Sequence, residues 1–355
     1  MDFGFVFMGS VHVAKQVKHA EDRGYSHAWL YDSQMLASEV YASLALVAAA
    51  THKIKLGPGV TNPKSRIAPL TACGMASINE LAPGRAILGI GTGNTTRRTM
   101  GMPAARLDEL RDHIRVCQGL FKGELTDYAE GERVRKIKFL NPDMHYINIK
   151  DQIPVYVSAS GPKVAQLAGE IADGVILFGA VHPSIVKWMV DNVKAGARRA
   201  GRDPDKLYVL VMTAFYLTKQ EKDIATKEVR EAVGPMVASS SNIFALSTQQ
   251  NPDALPADFR QELMAFTNVY KEPDAPVETR HIKLYSGYLQ KLRPEHEALM
   301  TEKIMRATTL VGTKDQVIDS IRQMRAAGVD QVAVQPILDA TATIDQFAKE
   351  IMSAF

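Results

Sequence analysis

Short apolar runs alternate with amphipathic segments along the whole chain. The runs at residues 3–8, 27–31, 53–57, 85–90, 153–157, 175–178, 207–214 and 331–334 read as strands, several of them continuously apolar, as a parallel sheet buried on both faces requires. Apolar residues at helical spacing mark helices at 13–22, 40–50, 68–81, 107–121 and 184–200. Gly24, Gly174 and Gly328 each close a helical pattern just before a strand, where glycine supplies the left-handed helix stop.

Strands alternating with helices in this way predict an α/β chain, a single (β/α)8 barrel domain over residues 1–355. The competing doubly wound sheet calls for a Gly-x-Gly-x-x-Gly turn after the first strand, and Met8-Gly9-Ser10 does not supply one. A bare barrel takes about 250 residues, so roughly 100 remain as insertions. Two segments have room for them, 123–150 and 234–303, the larger following the seventh strand. In the first, pieces at 134–139 and 145–149 read as strands around an Asn141-Pro142-Asp143 turn. The second reads as irregular around Ser239–Asn242 and helical over 281–292. A long excursion of this kind is either an active-site lid or a packing insert.

Composition narrows the partners. The chain has 355 residues, 46% of them apolar, and a net charge of +3 with both signs interspersed. No basic arm or stripe appears, so nucleic acid is not an expected partner. No apolar run is long enough for a bilayer, and the first predicted strand starts almost at Met1, which leaves no room for a signal peptide. Cys73 and Cys117 fall in predicted helices without metal-site spacing, so a reduced, cytoplasmic setting and no metal are expected.

In a barrel the chemistry sits at the carboxyl ends of the strands. Those ends include Gly9-Ser10, Asp32-Ser33, Gly59-Val60-Thr61-Asn62, Gly91-Thr92-Gly93-Asn94, Ser158-Ala159-Ser160-Gly161 and Gly179-Ala180. Glycines and neutral donors dominate, and Asp32 is the one acid. Such a set suits a large, flat, polar cofactor, with the protein supplying orientation and exclusion of water. The segment 153–179 is the most explicit of these: strand, Ser158-Ala159-Ser160-Gly161, Pro162 in the first helical turn, helix, strand. Small hydroxyl residues at a helix amino end hold a phosphate or simply cap the helix. His12, just past the first strand, and Asp32 are the candidate catalytic groups. Asp32 otherwise serves as a local cap. Met8 is a candidate pocket wall, along with Met100, Met102 and Met212. His281, Tyr285 and Tyr288 share one face of the predicted lid helix and line the substrate pocket if that helix folds over the site.

At these strand ends the chain resembles the luciferase-like flavin and deazaflavin oxidoreductases, above all the group that contains the F420-dependent methylenetetrahydromethanopterin reductases and many flavin-dependent monooxygenases. The matching text is Leu56-Gly57-Pro58-Gly59-Val60-Thr61-Asn62-Pro63 with Arg66, the stretch from Glu80 to Gly91, Pro154 to Lys163, and Leu310-Val311-Gly312-Thr313. The resemblance implies a cis Gly59–Val60 peptide behind the cofactor ring. It also implies Thr92 and Asn94 near the ring's polar edge or ribityl chain, and Ser158, Ser160 and Gly161 at the phosphate. The sequence departs from the group in having Ile67-Ala68 after Arg66 and Asn94-Thr95-Thr96 after the fourth strand. The first expectation is a two-component monooxygenase acting on a small organic substrate with O2 and reduced FMN, the latter supplied by a partner flavin reductase. An F420-dependent hydride-transfer enzyme and a flavin-binding protein without turnover are the alternatives. FMN is preferred because it is widespread, whereas F420 is confined to certain organisms. A homodimer through helices near the second and third strands is implied as well.

Overall fold

The computed structural model describes residues 1–247, 253, 255–269 and 275–355. Eight strands form one parallel barrel: β1 (Asp2–Met8), β2 (His27–Tyr31), β3 (Lys55–Pro58), β4 (Leu88–Ile90), β7 (Val155–Ala159), β8 (Gly174–Phe178), β9 (Tyr208–Leu217) and β11 (Gln331–Gln335). Their order in the sheet is β3-β2-β1-β11-β9-β8-β7-β4. The edges β3 and β4 meet through bridges from Leu56 to Ala86 and from Thr61 to Ile90. The barrel expectation therefore holds, with each predicted strand in place and ends shifted by up to three residues.

The seam between β3 and β4 depends on two glycines. A Cβ on Gly57 would lie 2.0 Å from the carbonyl oxygen of Ile87, and one on Gly89 would lie 2.1 Å from that of Pro58. Only glycine permits backbones to approach this closely. Immediately beyond, the Gly59–Val60 peptide is cis.

The helices α1 (Ala14–Asp22), α2 (Val40–Ala50), α3 (Ala68–Leu81), α5 (Leu107–Phe121), α6 (Pro162–Ile171), α7 (Pro183–Arg199), α13 (Lys314–Ala326) and α14 (Ala340–Glu350) accompany the barrel strands, and the short α4 (Asn94–Arg98) follows β4. A short strand, β10 (Leu310–Gly312), pairs with the last three residues of β9 beyond the barrel path. Among the described residues no helix is long and apolar enough to cross a membrane.

The insertions differ from expectation in four places. In the first, the hairpin is β5 (Thr126–Glu130) with β6 (Arg133–Ile137), earlier than predicted. Gly131, at φ +61°, supplies the left-handed conformation for a two-residue turn, a stronger signal than Asn141-Pro142-Asp143. Residues 145–149 are not a strand; Asn148 there bonds its N–H to the carbonyl of Ala76. In the second, α8 (Lys227–Ser247) runs straight through Pro235 and through the serines read as irregular. Those serines are buried, and Ser240 Oγ donates to the carbonyl of Met236 at 2.8 Å, which satisfies the hydroxyl within the helix. The helix predicted over 281–292 is only α10 (Arg280–Tyr285), because Gly287 and Leu289 both take positive φ. α9 (Arg260–Val269), α11 (Pro294–Glu297) and α12 (Glu302–Thr308) complete the excursion. The parts of it at 248–252, 254 and 270–274 lie outside the described residues.

Candidate active site

The carboxyl ends of the barrel strands open into one cavity. Met8 of β1, Tyr31 of β2, Asp32, Ser33 and Leu36 form one side. Gly59, Val60 and the run Gly91–Thr96 form the next, and Ser158, Ser160, Ile176, Phe178 and Met212 line the rest. Ile243 of α8 and Leu289, both from the large insertion, complete the lining. A Cβ on Gly91 would stand 3.1 Å from Val60 Cγ2 and 3.3 Å from Ser158 Cβ, so the missing side chain keeps this part of the cavity open.

Among the described residues Asp32 is the one carboxylate in the lining, and it is 4% exposed. Its Oδ2 accepts from Thr61 Oγ1 at 2.7 Å and from Arg66 Nη1 at 2.8 Å. Thr96 Oγ1 donates to its backbone carbonyl. Both side-chain bonds fall on Oδ2, which leaves Oδ1 for a bound molecule. Arg66 also pairs with Glu39 and lies over the Tyr41 ring, 4.6 Å from its centroid. Burial raises the Asp32 carboxyl above the ordinary carboxylate range, while Arg66 and Thr61 pull it back in part. The side chain thus holds a proton more readily than an exposed aspartate does. Beside it Tyr31 donates its hydroxyl to Gln335 Oε1 at 2.8 Å, and Gln335 Nε2 donates to the carbonyl of Leu289 at 3.0 Å.

The structure brings many of the sequence candidates together. Met8, Asp32, Gly59, Val60, Thr92, Asn94, Ser158 and Ser160 line the cavity. Thr61 and Asn62 are fully buried behind it: Thr61 holds Asp32, and Asn62 Oδ1 accepts from the N–H groups of Lys64 and Ser65 in a tight turn. Ala159 and Ala180 are buried off the cavity, and a Cβ on Gly179 would strike Ser240. Gly161 sits at the amino end of α6, where no side chain caps the helix. The reading of His12 as a group facing the pocket is corrected: it is exposed and absent from the lining, since the first loop turns it outward after Ser10 Oγ accepts its N–H. His281, Tyr285 and Tyr288 do not share a helix face. His281 packs on Gly101, and Tyr288 lies past the end of α10, its hydroxyl paired with that of Ser239. None of the three is in the cavity wall. Tyr31, Leu36, Thr95, Thr96, Ile176, Phe178, Ile243 and Leu289 were missed, because nothing local in the sequence says which residues turn inward.

A model of the family described as luciferase-like monooxygenase matches residues 10–331. The chain belongs to this family. It is 34% identical over 348 residues to the 5,10-methylenetetrahydromethanopterin reductase of Methanolobus tindarius, covering 95% of each chain. It is 29% identical over 286 residues to an F420-dependent glucose-6-phosphate dehydrogenase of Nakamurella multipartita, covering 76% of this chain and 82% of that one. Among solved structures, the coenzyme F420 dependent tetrahydromethanopterin reductase of Methanopyrus kandleri superposes over the full length of both chains, with a TM-score of 0.70 and 25% identity. The protein is an oxidoreductase of the luciferase-like family. The expectation of an FMN-dependent two-component monooxygenase is overturned, because the relatives similar along nearly the whole chain are reductases and the matching structure is that of an F420-dependent one. FMN was preferred on the abundance of cofactors in cells, which carries no information about this fold's pocket.

Proposed function

We propose that the protein is a coenzyme F420-dependent oxidoreductase that moves a hydride between the deazaflavin and a carbon of a small substrate. The observation that carries this reading is end-to-end similarity to F420-type reductases, combined with a cavity at the strand ends built mainly from glycines, apolar walls and hydroxyls.

The residues present fit a flat polar cofactor. Gly91 keeps open a slot between Val60 and Ser158 that a side chain would fill. Ser158 and Ser160 face the cavity at the uncapped amino end of α6, where free N–H groups and the helix dipole suit a phosphate. When bound, the deazaflavin supplies a two-electron hydride donor or acceptor. Asp32 supports a proton-handling role: Oδ1 gives a proton to the substrate heteroatom on reduction and takes it back on oxidation. Arg66 and Thr61 hold the carboxyl in place. Such an enzyme calls for no partner reductase. A homodimer through α2 and α3 is part of the proposal, because Leu46, Leu70 and Leu81 are all about half exposed on two adjoining helices that carry almost no charge.

The test is anaerobic turnover. Reduced F420 mixed with enzyme and a candidate acceptor should be oxidised with label passing from deuterated cofactor to product carbon. Consumption that needs O2, or label lost to water, argues against the proposal.

A further inference from the structure

We infer that the substrate carries an oxyanion, a carboxylate or a phosphate, and that Arg98 at the cavity rim receives it together with the hydroxyl of Tyr285. This rests on the deazaflavin hydride-transfer reading and adds the class of substrate to it.

Arg98 is the last residue of α4, one turn after Asn94. Its Nε donates to Asn94 Oδ1, and Asn94 lines the cavity. That partner is neutral. Among the described residues no carboxylate pairs with Arg98, its Nη1 and Nη2 have no acceptor, and the side chain is half-buried. A guanidinium partly removed from water is left without a counter-ion, which a bound anion would supply. Arg66, by contrast, is already engaged by Asp32 and Glu39.

Two phenols lie near this cation. Burial raises the Tyr285 and Tyr288 hydroxyls, and Arg98 pulls both back in part. Tyr288 is committed to Ser239 and Thr95. The Tyr285 hydroxyl bonds none of the described residues, so it remains a neutral donor. A guanidinium fork with a phenol beside it suits a carboxylate or a phosphate.

The charges along the chain agree. Residues 91–107 contain Arg97, Arg98 and Arg106 and no acid, and residues 279–294 contain Arg280, His281, Lys283, Lys291 and Arg293 and no acid. Arg106 and Arg293 pair with acids just beyond these stretches, Asp108 and Glu295. The two stretches meet at the cavity. Thr95 and Leu289 both line it, Tyr288 reaches Thr95, and a Cβ on Gly101 would lie 2.9 Å from His281 Nδ1. An excess of one sign at a cavity mouth draws the opposite charge. Thr96 of the same short helix bonds the Asp32 carbonyl, which ties Arg98 to the proton-handling end of the cavity. The cofactor phosphate is assigned to Ser158 and Ser160 at α6.

The experiment is calorimetric titration of the full-length protein, with and without F420, using two kinds of matched pair: straight-chain keto acids against methyl ketones of equal length, and hydroxyacetone phosphate against hydroxyacetone. The wild type should bind the anionic member of at least one pair about tenfold or more tighter, and the pair that shows it identifies the oxyanion. R98Q should collapse the ratio to near one, R98K should keep part of it, and Y285F should lower it by less than R98Q does. Affinity of R98Q for F420, and for the F420 fragment that lacks the phosphate and glutamate tail, should match the wild type. No preference for either anion in the wild type, or a preference that survives R98Q, would overturn the inference. So would a loss of F420 affinity in R98Q with the tailless fragment still bound, which would assign Arg98 to the cofactor's own tail. A wild type that does not bind F420 would count against the cofactor reading, and the ratios without cofactor would still decide the role of Arg98.

Discussion

Thr61 and Asp32 come from the ends of two different barrel strands, and the Thr61 hydroxyl donates to Asp32 Oδ2 at 2.7 Å. Arg66 donates to the same oxygen. The pair fixes one face of the carboxyl and leaves the other toward the cavity. Replacing Asp32 with Asn keeps the shape and removes the titrating proton. Steady-state turnover of D32N should fall about 100-fold or more, with F420 affinity unchanged. Retention of near wild-type turnover would exclude Asp32 from proton transfer.

Arg66 acts on the reaction through Asp32. In R66M the buried carboxylate loses its cation, which should destabilise the protein by about 3 kcal/mol. The pH at which Asp32 loses its proton should move upward, because Arg66 is the largest influence holding it down. For reduction, in which Asp32 must carry a proton, the alkaline limb of the turnover profile should follow it upward, and R66K should restore part of the profile. A fall in turnover with an unmoved pH profile would mean that Arg66 serves stability alone.

The glycines separate fold from cofactor. G91A places a methyl between Val60 and Ser158, at distances that small shifts accommodate. It should weaken F420 binding about tenfold, equivalent to about 1.4 kcal/mol, with little change in melting temperature. G57A and G89A force a methyl to about 2 Å from a carbonyl oxygen. Those two should yield little folded protein, as read from soluble expression and circular dichroism.

Three buried histidines set acid stability. Burial pulls His27, His113 and His296 down to about 4. They are neutral in the folded protein at neutral pH, whereas in the unfolded chain they bind protons near pH 6.5. Stability is therefore fully present above about 6.5 and is lost as pH falls toward 4, by up to roughly 1.4 kcal/mol per pH unit for each histidine. Denaturant midpoints measured between pH 7 and 4 should show this slope, and H113Q should reduce it. His113 Nε2 lies 3.1 Å from Thr71 Oγ1, a contact that glutamine can replace.

The barrel was legible because its strands are short apolar runs separated by amphipathic helices, and the topology follows from alternation alone. The strand–loop–helix unit around Ser158–Gly161 was legible because strand, small hydroxyls, Pro162 and helix are contiguous. The Asp32–Arg66 pair spans 34 positions and exists only once β2 and β3 lie side by side, so no local pattern announces it. α8 was misread because Pro235 and Ser239–Ser241 are helix-disfavouring by propensity, and burial against neighbouring elements overrides that preference. The FMN preference failed for a different reason: Gly59, Gly91 and Ser158 suit either isoalloxazine or deazaflavin, and the choice between them is not written in those residues.

Side-by-side titration of the purified full-length protein with F420 and FMN tests the account most directly. Saturable F420 binding, weakened in G91A and in S158A/S160A, with no matching FMN affinity, is the result the account predicts. Tight FMN binding with no detectable F420 binding would contradict it.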